Sequence, residues 1–305
     1  MTGADDERPP GEAAGHDASG DETRDVLAAE TFASEMLGLG VTADELTDPE
    51  AEAEEERTLE ALGMHEDAGT QLDDARADEL LRSGAVELLG HIVSSNETFL
   101  VRIEDDTDAL WGIYKPVLGE RPLHDFPPGL HRRERAAYLV SETLGWHVVP
   151  RTVLREDGLP FGEGSLQRFV VADPAEHYFT LYGTGEDTDA QLRRLAVFDL
   201  LVNNADRKAG HVLRDEDGRV WGIDHGLCLH EELKLRTVIW DFAGAPVEPG
   251  LVADVAALVD DVPAAIADLL TPAEVRALQG RARYLLASGA LPHDRTGMRF
   301  PWPLI

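Results

Sequence analysis

The stretch LLVNNADRKAGHVLRDEDGRVWGIDHGLCL, residues 200–229, decides how the rest of the chain is read. It places Asp206 and Asp224 each beside an apolar run, with His211 at the start of a hairpin-like segment between them. Carboxylates and an imidazole bracketed by Leu, Val and Ile are unfavourable to desolvate unless they are paired, bound to a cation or used in chemistry. The rest of the sequence has to say which.

Composition narrows the field. The 305 residues are enough for one large domain or two small ones. Residues 1–80 carry 25 Asp and Glu against four Arg, and so hold most of the net charge of −32. The opening MTGADDERPPGEAAGHDASGDETRD is acidic, bears Gly and Pro, and is nearly free of aromatics. Such a segment buries too little apolar surface to offset its ordering entropy, so residues 1–80 read as largely disordered, with short helices expected near 26–38 and 70–83. The acidic run serves either as a solvating tail or as a cover for a basic site. A chain this acidic repels phosphate backbones, which excludes nucleic acid as a partner. The single cysteine, Cys228, rules out an intrachain disulfide framework. There is no signal-peptide pattern and no apolar run near the ~20 residues that span a bilayer, so the expected location is cytoplasmic.

Beyond the acidic segment the hydrophobic pattern is regular. AVELLGHIV (85–93), TFLVRIE (98–104) and ALWGIYKPV (109–117) read as an antiparallel meander. A helix is expected over 130–145, where Ala136, Leu139, Val140 and Leu144 recur at helical spacing and Gly145 closes the end. HVVPRTVLR and GSLQRFVV read as two further strands, and the chain then turns helical: 189–204, LVADVAALVDDVPAAIADLL, and TPAEVRALQGRARYLLAS. In the last, Thr271 and Glu274 have the spacing of a capping box. The fold class is therefore α+β with two lobes: a small antiparallel sheet with a helix over 81–171, and a mostly helical lobe over 172–305.

Two lobes make a cleft, and the polar residues fall into an ordered set beside it. Lys115 is the one lysine before residue 200 and ends a strand, on the same face as Ile113. Glu134 on the following helix is placed to pair with it. The turn SSNE offers hydroxyls and backbone N–H groups for an anion. Asp206 follows in a loop, and Asp224 precedes a His-Gly. Phosphoryl transfer needs such a set, because charge on the phosphate oxygens must meet a prepositioned Lys and a divalent cation. Asp224 offers the oxygen ligands that Mg2+ prefers. Asp206 is suited to orient a hydroxyl or take its proton.

From residue 95 to 245 the chain also resembles the phosphatidylinositol 3-/4-kinase-related fold, most like the type II phosphatidylinositol 4-kinases and their bacterial relatives. The resemblance is carried, in order, by SSNETFLV, IYKP, RERAAYLVSETLG, VVPRT, GSLQRFV, LAVFDLLVNNADRKAGHVL and WGIDHGLCL. It implies a protein-kinase-like fold and an ATP phosphotransferase. Ser94, Ser95 and Asn96 would lie over the ATP phosphates, Lys115 would contact them, and Glu134 would hold Lys115. Backbone groups around Gln167, Phe169 and Val170 would meet the adenine. Asp206 would serve the acceptor hydroxyl and Asp224 would hold Mg2+.

The chain departs from that pattern at His211, which stands where the family has a metal-binding Asn. Imidazole suits transition metals better than Mg2+, so the expectation is Mn2+, binding through water, or a catalytically weak kinase-like module acting through protein partners. Lys208 either neutralises the transferring phosphate or is simply exposed. The acceptor is a hydroxyl-bearing protein or small molecule, with a lipid disfavoured because no basic amphipathic helix is present and anionic leaflets repel the chain. His225, Cys228 and His230 raise a competing zinc-site reading without firm ligand spacing.

Overall fold

The computed structural model describes residues 72–92, 94 and 96–305. The expected disorder of the acidic segment, the helix near 26–38 and the position of Ser95 lie outside the described residues. The first lobe is a five-stranded antiparallel sheet: β1 (Ala85–Ile92), β2 (Thr98–Glu104), β3 (Ala109–Pro116), β4 (Thr152–Arg155) and β5 (Gly164–Arg168), in the order β1-β2-β3-β5-β4. Strand alternation divides it into two faces. On one, Leu110 and Tyr114 join Val101, Ile103, Val153 and Leu166 against Ala77, Leu80 and Leu81 of helix α1 (Asp74–Ser83). The other carries Trp111 and Ile113 beside Leu100, and the row continues to Lys115. The side chain of Asp73 caps α1 by accepting from the Arg76 N–H at 2.8 Å. The lobe boundary expected at residue 80 therefore falls inside a helix that belongs to the sheet's core.

Two segments read as strands are shorter than their patterns. The strand expected over 147–155 begins only at Thr152. Before it, His147 turns the chain with φ 49, and the N–H groups of Val148 and Val149 donate to Ser141 Oγ rather than to a ladder. The strand expected over 164–171 ends at Arg168.

Helix α2 (Leu130–Thr143) links the lobes. It buries Glu134, Ala136, Ala137 and Val140, and carries Arg133 into the helical lobe. There the guanidinium donates to the Cys228 carbonyl at 2.6 Å and to the Glu274 carboxylate. Arg132 donates to the Asp268 carbonyl at 2.5 Å.

The second lobe contains α3 (Tyr178–Leu181), α4 (Glu186–Val202), the hairpin β6 (Val212–Arg214) and β7 (Val220–Gly222), and then α5 (Pro249–Val255), α6 (Ala257–Asp260), α7 (Ala264–Ala267) and α8 (Pro272–Ser288). The apolar run over 251–270 is three short helices, because Pro263 has no N–H to continue a ladder and instead stands at the start of α7. Among the described residues no helix is long and apolar enough to cross a membrane. The capping box is formed: the Glu274 N–H donates to Thr271 Oγ1 at 3.3 Å, and Glu274 Oε2 accepts from the Thr271 N–H at 2.8 Å. Thr271→Ala is expected to lower stability by about 1 kcal/mol in chemical denaturation; a loss well below half of that would show that the cap contributes little.

Candidate active site

The loop after α4 is built around one buried side chain. α4 ends at Asn203, which takes the left-handed conformation at φ 56. Its amide then ties down the far segment, donating to the Glu232 carbonyl and accepting from the Lys234 N–H. Asn204 accepts from the Asp206 N–H at 3.0 Å and donates to Asp199. Arg207 is wholly buried, and each of its N–H groups is matched. It pairs with buried Asp199 through Nε at 3.0 Å and Nη2 at 3.0 Å. Its Nη1 donates to the carbonyls of His211 (3.0 Å) and Ile223 (2.7 Å), and Nη2 lies 2.7 Å from His225 Nε2. One guanidinium thereby joins α4, the Asp206 loop, the start of the hairpin and the segment carrying Asp224.

Around that frame the predicted residues meet. Lys115 Nζ donates to Glu134 Oε1 at 2.5 Å and to Asp224 Oδ1 at 2.8 Å. The other Glu134 oxygen accepts from the His225 N–H at 3.0 Å. Asp224 itself sits at φ 54, a region that few side chains other than Asn and Asp adopt. Burial disfavours the Asp224 carboxylate, but the charge of Lys115 outweighs it and holds the carboxyl below its ordinary value. Lys115 is desolvated as well, and the charges of Asp224 and Glu134 keep it raised and protonated. Lys208 Nζ is 3.6 Å from Asp206 Oδ2. Burial pushes the Asp206 carboxyl up to about 6 against the opposing charge of Lys208.

His211 has Nδ1 2.9 Å from the Asp206 carbonyl and Nε2 3.5 Å from Asp224 Oδ2. A carbonyl only accepts, so Nδ1 carries the proton and the Nε2 lone pair faces the carboxylate. Burial lowers this imidazole to about 4.

The cleft is lined by Ser94, Asn96, Glu97, Thr98, Lys115, Glu120, His131, Glu134, Asp206 and Asp224, with apolar Leu130 and Leu227. Ser94 Oγ donates to the Asn96 carbonyl at 2.5 Å, which closes the turn. Asn96 Oδ1 accepts from the Arg121 N–H, and the Glu97 N–H donates to the Gly119 carbonyl. A Cβ at Gly119 would come within 2.3 Å of Glu97 Cβ, so this close approach requires glycine. Gln167, Phe169 and Val170 are not among the residues lining the cleft. Gln167 is buried and donates to Thr152 Oγ1, while the Phe169 N–H donates to the Trp111 carbonyl and its ring packs edge-on against Trp111.

The pattern search missed Asn204, Arg207, Glu120 and His131. Arg207 was visible only as a neighbour of Asp206, and nothing in the sequence marked it as buried. Glu120 accepts from the N–H groups of Gly129 and His131 and lies 3.2 Å from His131 Nδ1, contacts that a Pro-bearing loop without periodicity does not announce. The zinc reading is not supported at His225 and Cys228. His225 Nε2 is occupied by Arg207, and Cys228 is buried with its thiol against the Arg133 carbonyl. Among the described residues no three His, Cys, Asp or Glu side chains gather as a metal cage.

Over 274 residues the chain is 42% identical to Protein Rv2133c of Mycobacterium tuberculosis, covering 77% of this chain and 97% of that protein. The chain belongs to the same family as Rv2133c. It is also 33% identical over 125 residues to phosphatidylinositol 4-kinase gamma 8 of Arabidopsis thaliana, a match that covers 32% of this chain and 22% of the plant protein. No protein-family model matches. Among solved structures, the Golgi casein kinase with Mn/ADP bound aligns with a TM-score of 0.47 at 12% identity, covering 99% of this chain and 96% of that one. A hydra Fam20 with sugar aligns with a TM-score of 0.46 at 13% identity, covering 74% and 92%. The small antiparallel lobe, the helical lobe and the lysine–glutamate pair between them form a two-lobed α+β fold.

The buried Arg207–Asp199 pair gives this frame a direct test. Asp199→Ala strands a guanidinium with no exposure, and is expected to destabilise the protein by about 3–5 kcal/mol in denaturant titration. A loss under about 1 kcal/mol would mean that the loop does not depend on this pair.

Proposed function

We propose that the chain is an ATP-dependent phosphotransferase of the phosphatidylinositol 3-/4-kinase-like class, moving the γ-phosphoryl group to a hydroxyl acceptor. The observation that carries this reading is Lys115 Nζ held between Glu134 and Asp224, at 2.5 and 2.8 Å, in a cleft that Asp206 also lines. Lys115 is placed to bind phosphate oxygens, Glu134 to keep it pointed there, and Asp206 to orient the acceptor hydroxyl and take its proton. Lys208 lies beside Asp206 and offers a second positive charge to the transferring group. Ser94, Asn96, Glu97 and Thr98 line the same cleft. The order of the sequence motifs and the partial match to a plant phosphatidylinositol 4-kinase support the class.

The residues present fit a divalent cation. The cleft is lined by Glu97, Glu120, Glu134, Asp206 and Asp224, with Lys115 and His131 as the basic side chains, so a bare triphosphate meets an unfavourable field. The lone pair of His211 Nε2 faces Asp224 Oδ2 at 3.5 Å, two acceptors with no proton between them. A cation held by Asp224 and His211 would offset charge on the phosphate oxygens. Mg2+ meets the carboxylate well, and the imidazole adds affinity for Mn2+.

His211 also favours a second reading, a weak or inactive nucleotide-binding module, because it stands where the resemblance has an Asn. Two measurements separate the readings. ATP with Mg2+ or Mn2+ is expected to raise the melting temperature of the wild type, and Asp224→Ala to abolish the metal-dependent part; no shift with either metal in the wild type would remove the nucleotide site. Asp206→Ala is expected to leave that shift in place and to lower phosphotransfer from labelled ATP by about 10²–10⁴-fold. Nucleotide binding with no turnover in the wild type would select the inactive module.

A further inference from the structure

The sequence has three lysines among its 27 basic side chains: Lys115, Lys208 and Lys234. The third has no part in the chemistry above. Lys234 Nζ lies 3.7 Å from Asp125 Oδ2, and Arg236 Nη2 lies 3.8 Å from the same oxygen. Backbone hydrogen bonds hold these two cations against the Asp206 loop. The Arg236 N–H donates to the Asn204 carbonyl at 2.9 Å, the Arg207 N–H donates to the Arg236 carbonyl at 3.1 Å, and the Lys234 N–H donates to Asn203 Oδ1 at 2.8 Å.

Asp125 reaches them from the loop that precedes α2. Its neighbour Phe126 is buried with Leu130 and Ala205 and packs on Leu227, with the cations of Arg133 and Lys234 5.5 and 5.7 Å from its ring centre. Phe126 therefore pins the loop across both lobes. Asp125 itself is loosely held: it is 45% exposed, and its contacts are longer than hydrogen bonds. Exposed ion pairs of this kind contribute about 0–1 kcal/mol. A group with more charge and more acceptor oxygens would replace it, since Arg and Lys together suit phosphate better than a single carboxylate oxygen.

We infer that Lys234 and Arg236 form a seat for a phosphate group carried by the acceptor, and that Asp125 occupies this seat until the acceptor displaces it. The inference rests on the phosphotransferase reading of Asp206 and narrows its substrate to a hydroxyl compound that already bears a phosphate. The chain carries a net charge of −32, so a local seat of two cations is what would bring such a compound to Asp206.

The test uses the full chain in two stages. Calorimetry first measures binding of the non-hydrolysable β,γ-imido analogue of ATP with Mg2+ or Mn2+, and the saturated complex is then titrated with inorganic phosphate. The wild type is expected to bind phosphate. Asp125→Asn is expected to bind it about three to ten times more tightly, because the carboxylate shared by both cations is gone, while Glu232 Oε2, 3.8 Å from Lys234 Nζ and 73% exposed, stays in place in both proteins. The double variant Lys234→Gln/Arg236→Gln is expected to lose it. A gain of affinity in Asp125→Asn cannot come from misfolding, so it keeps the test sharp if the double variant is unstable. Failure of the analogue to bind overturns the phosphotransferase reading and this inference with it. Normal analogue binding with equal phosphate affinity in all three proteins overturns the seat alone. Sedimentation with phosphatidylinositol vesicles then identifies the source of the phosphate. Pelleting that the double variant loses assigns the seat to a lipid head group; phosphate binding without pelleting assigns it to a soluble acceptor.

Discussion

The site depends on the desolvated guanidinium of Arg207. A cation with no exposure is tolerated only where every N–H finds an acceptor, and here the acceptors come from three separate segments. Satisfying Arg207 therefore fixes how those segments lie together. Asp206 precedes it by one residue, and the Ile223 carbonyl that it binds precedes Asp224 by one, so the two carboxylates are positioned through a shared neighbour. The same demand explains Gly222. A Cβ there would sit 2.7 Å from Leu195 Cδ1 and 3.1 Å from Arg207 Nη2, so the glycine makes room for the guanidinium. His225 bears the consequence: with Nε2 accepting from Arg207, its proton is on Nδ1, which is buried without a partner.

Electrostatics on the other side of the cleft follow the opposite logic. Lys115 has no anion of its own other than the two carboxylates that will surround a guest. Glu134 is buried and fixed from its second oxygen by the His225 N–H, whereas Asp224 keeps 42% of its side chain open. The pair is therefore asymmetric. One carboxylate is a permanent support for the lysine, and in the proposed reading the other exchanges that contact for a cation.

The sequence made the order of elements legible, because strand alternation and helical spacing were strong from residue 85 to 143 and the capping box at Thr271 had a local signature. Lys115, Glu134 and Asp224 were legible for a similar reason, since each sits at a fixed place on a strong element or beside a glycine. What could not be read was tertiary. Val148 and Val149 look like a strand and are not one, because Ser141 takes up their N–H groups. Asn204 and Arg207 lay inside the quoted loop stretch with no role given to them, although they organise the loop from inside. Glu120 and Asp125 come from a segment without periodicity, which the packing of Phe126 and the contacts of Glu120 with the start of α2 bring to the cleft.

Helix α2 carries one further implication. In kinase-like folds whose corresponding helix rests on the small lobe alone, swinging that helix away breaks the lysine–glutamate pair and turns the enzyme off. Here Arg133 is clamped by the Cys228 carbonyl and the Glu274 carboxylate, and Arg132 by the Asp268 carbonyl, all from the large lobe. Rotating the helix would uncover a desolvated cation, so the large lobe holds the Lys115–Glu134 pair ready-made.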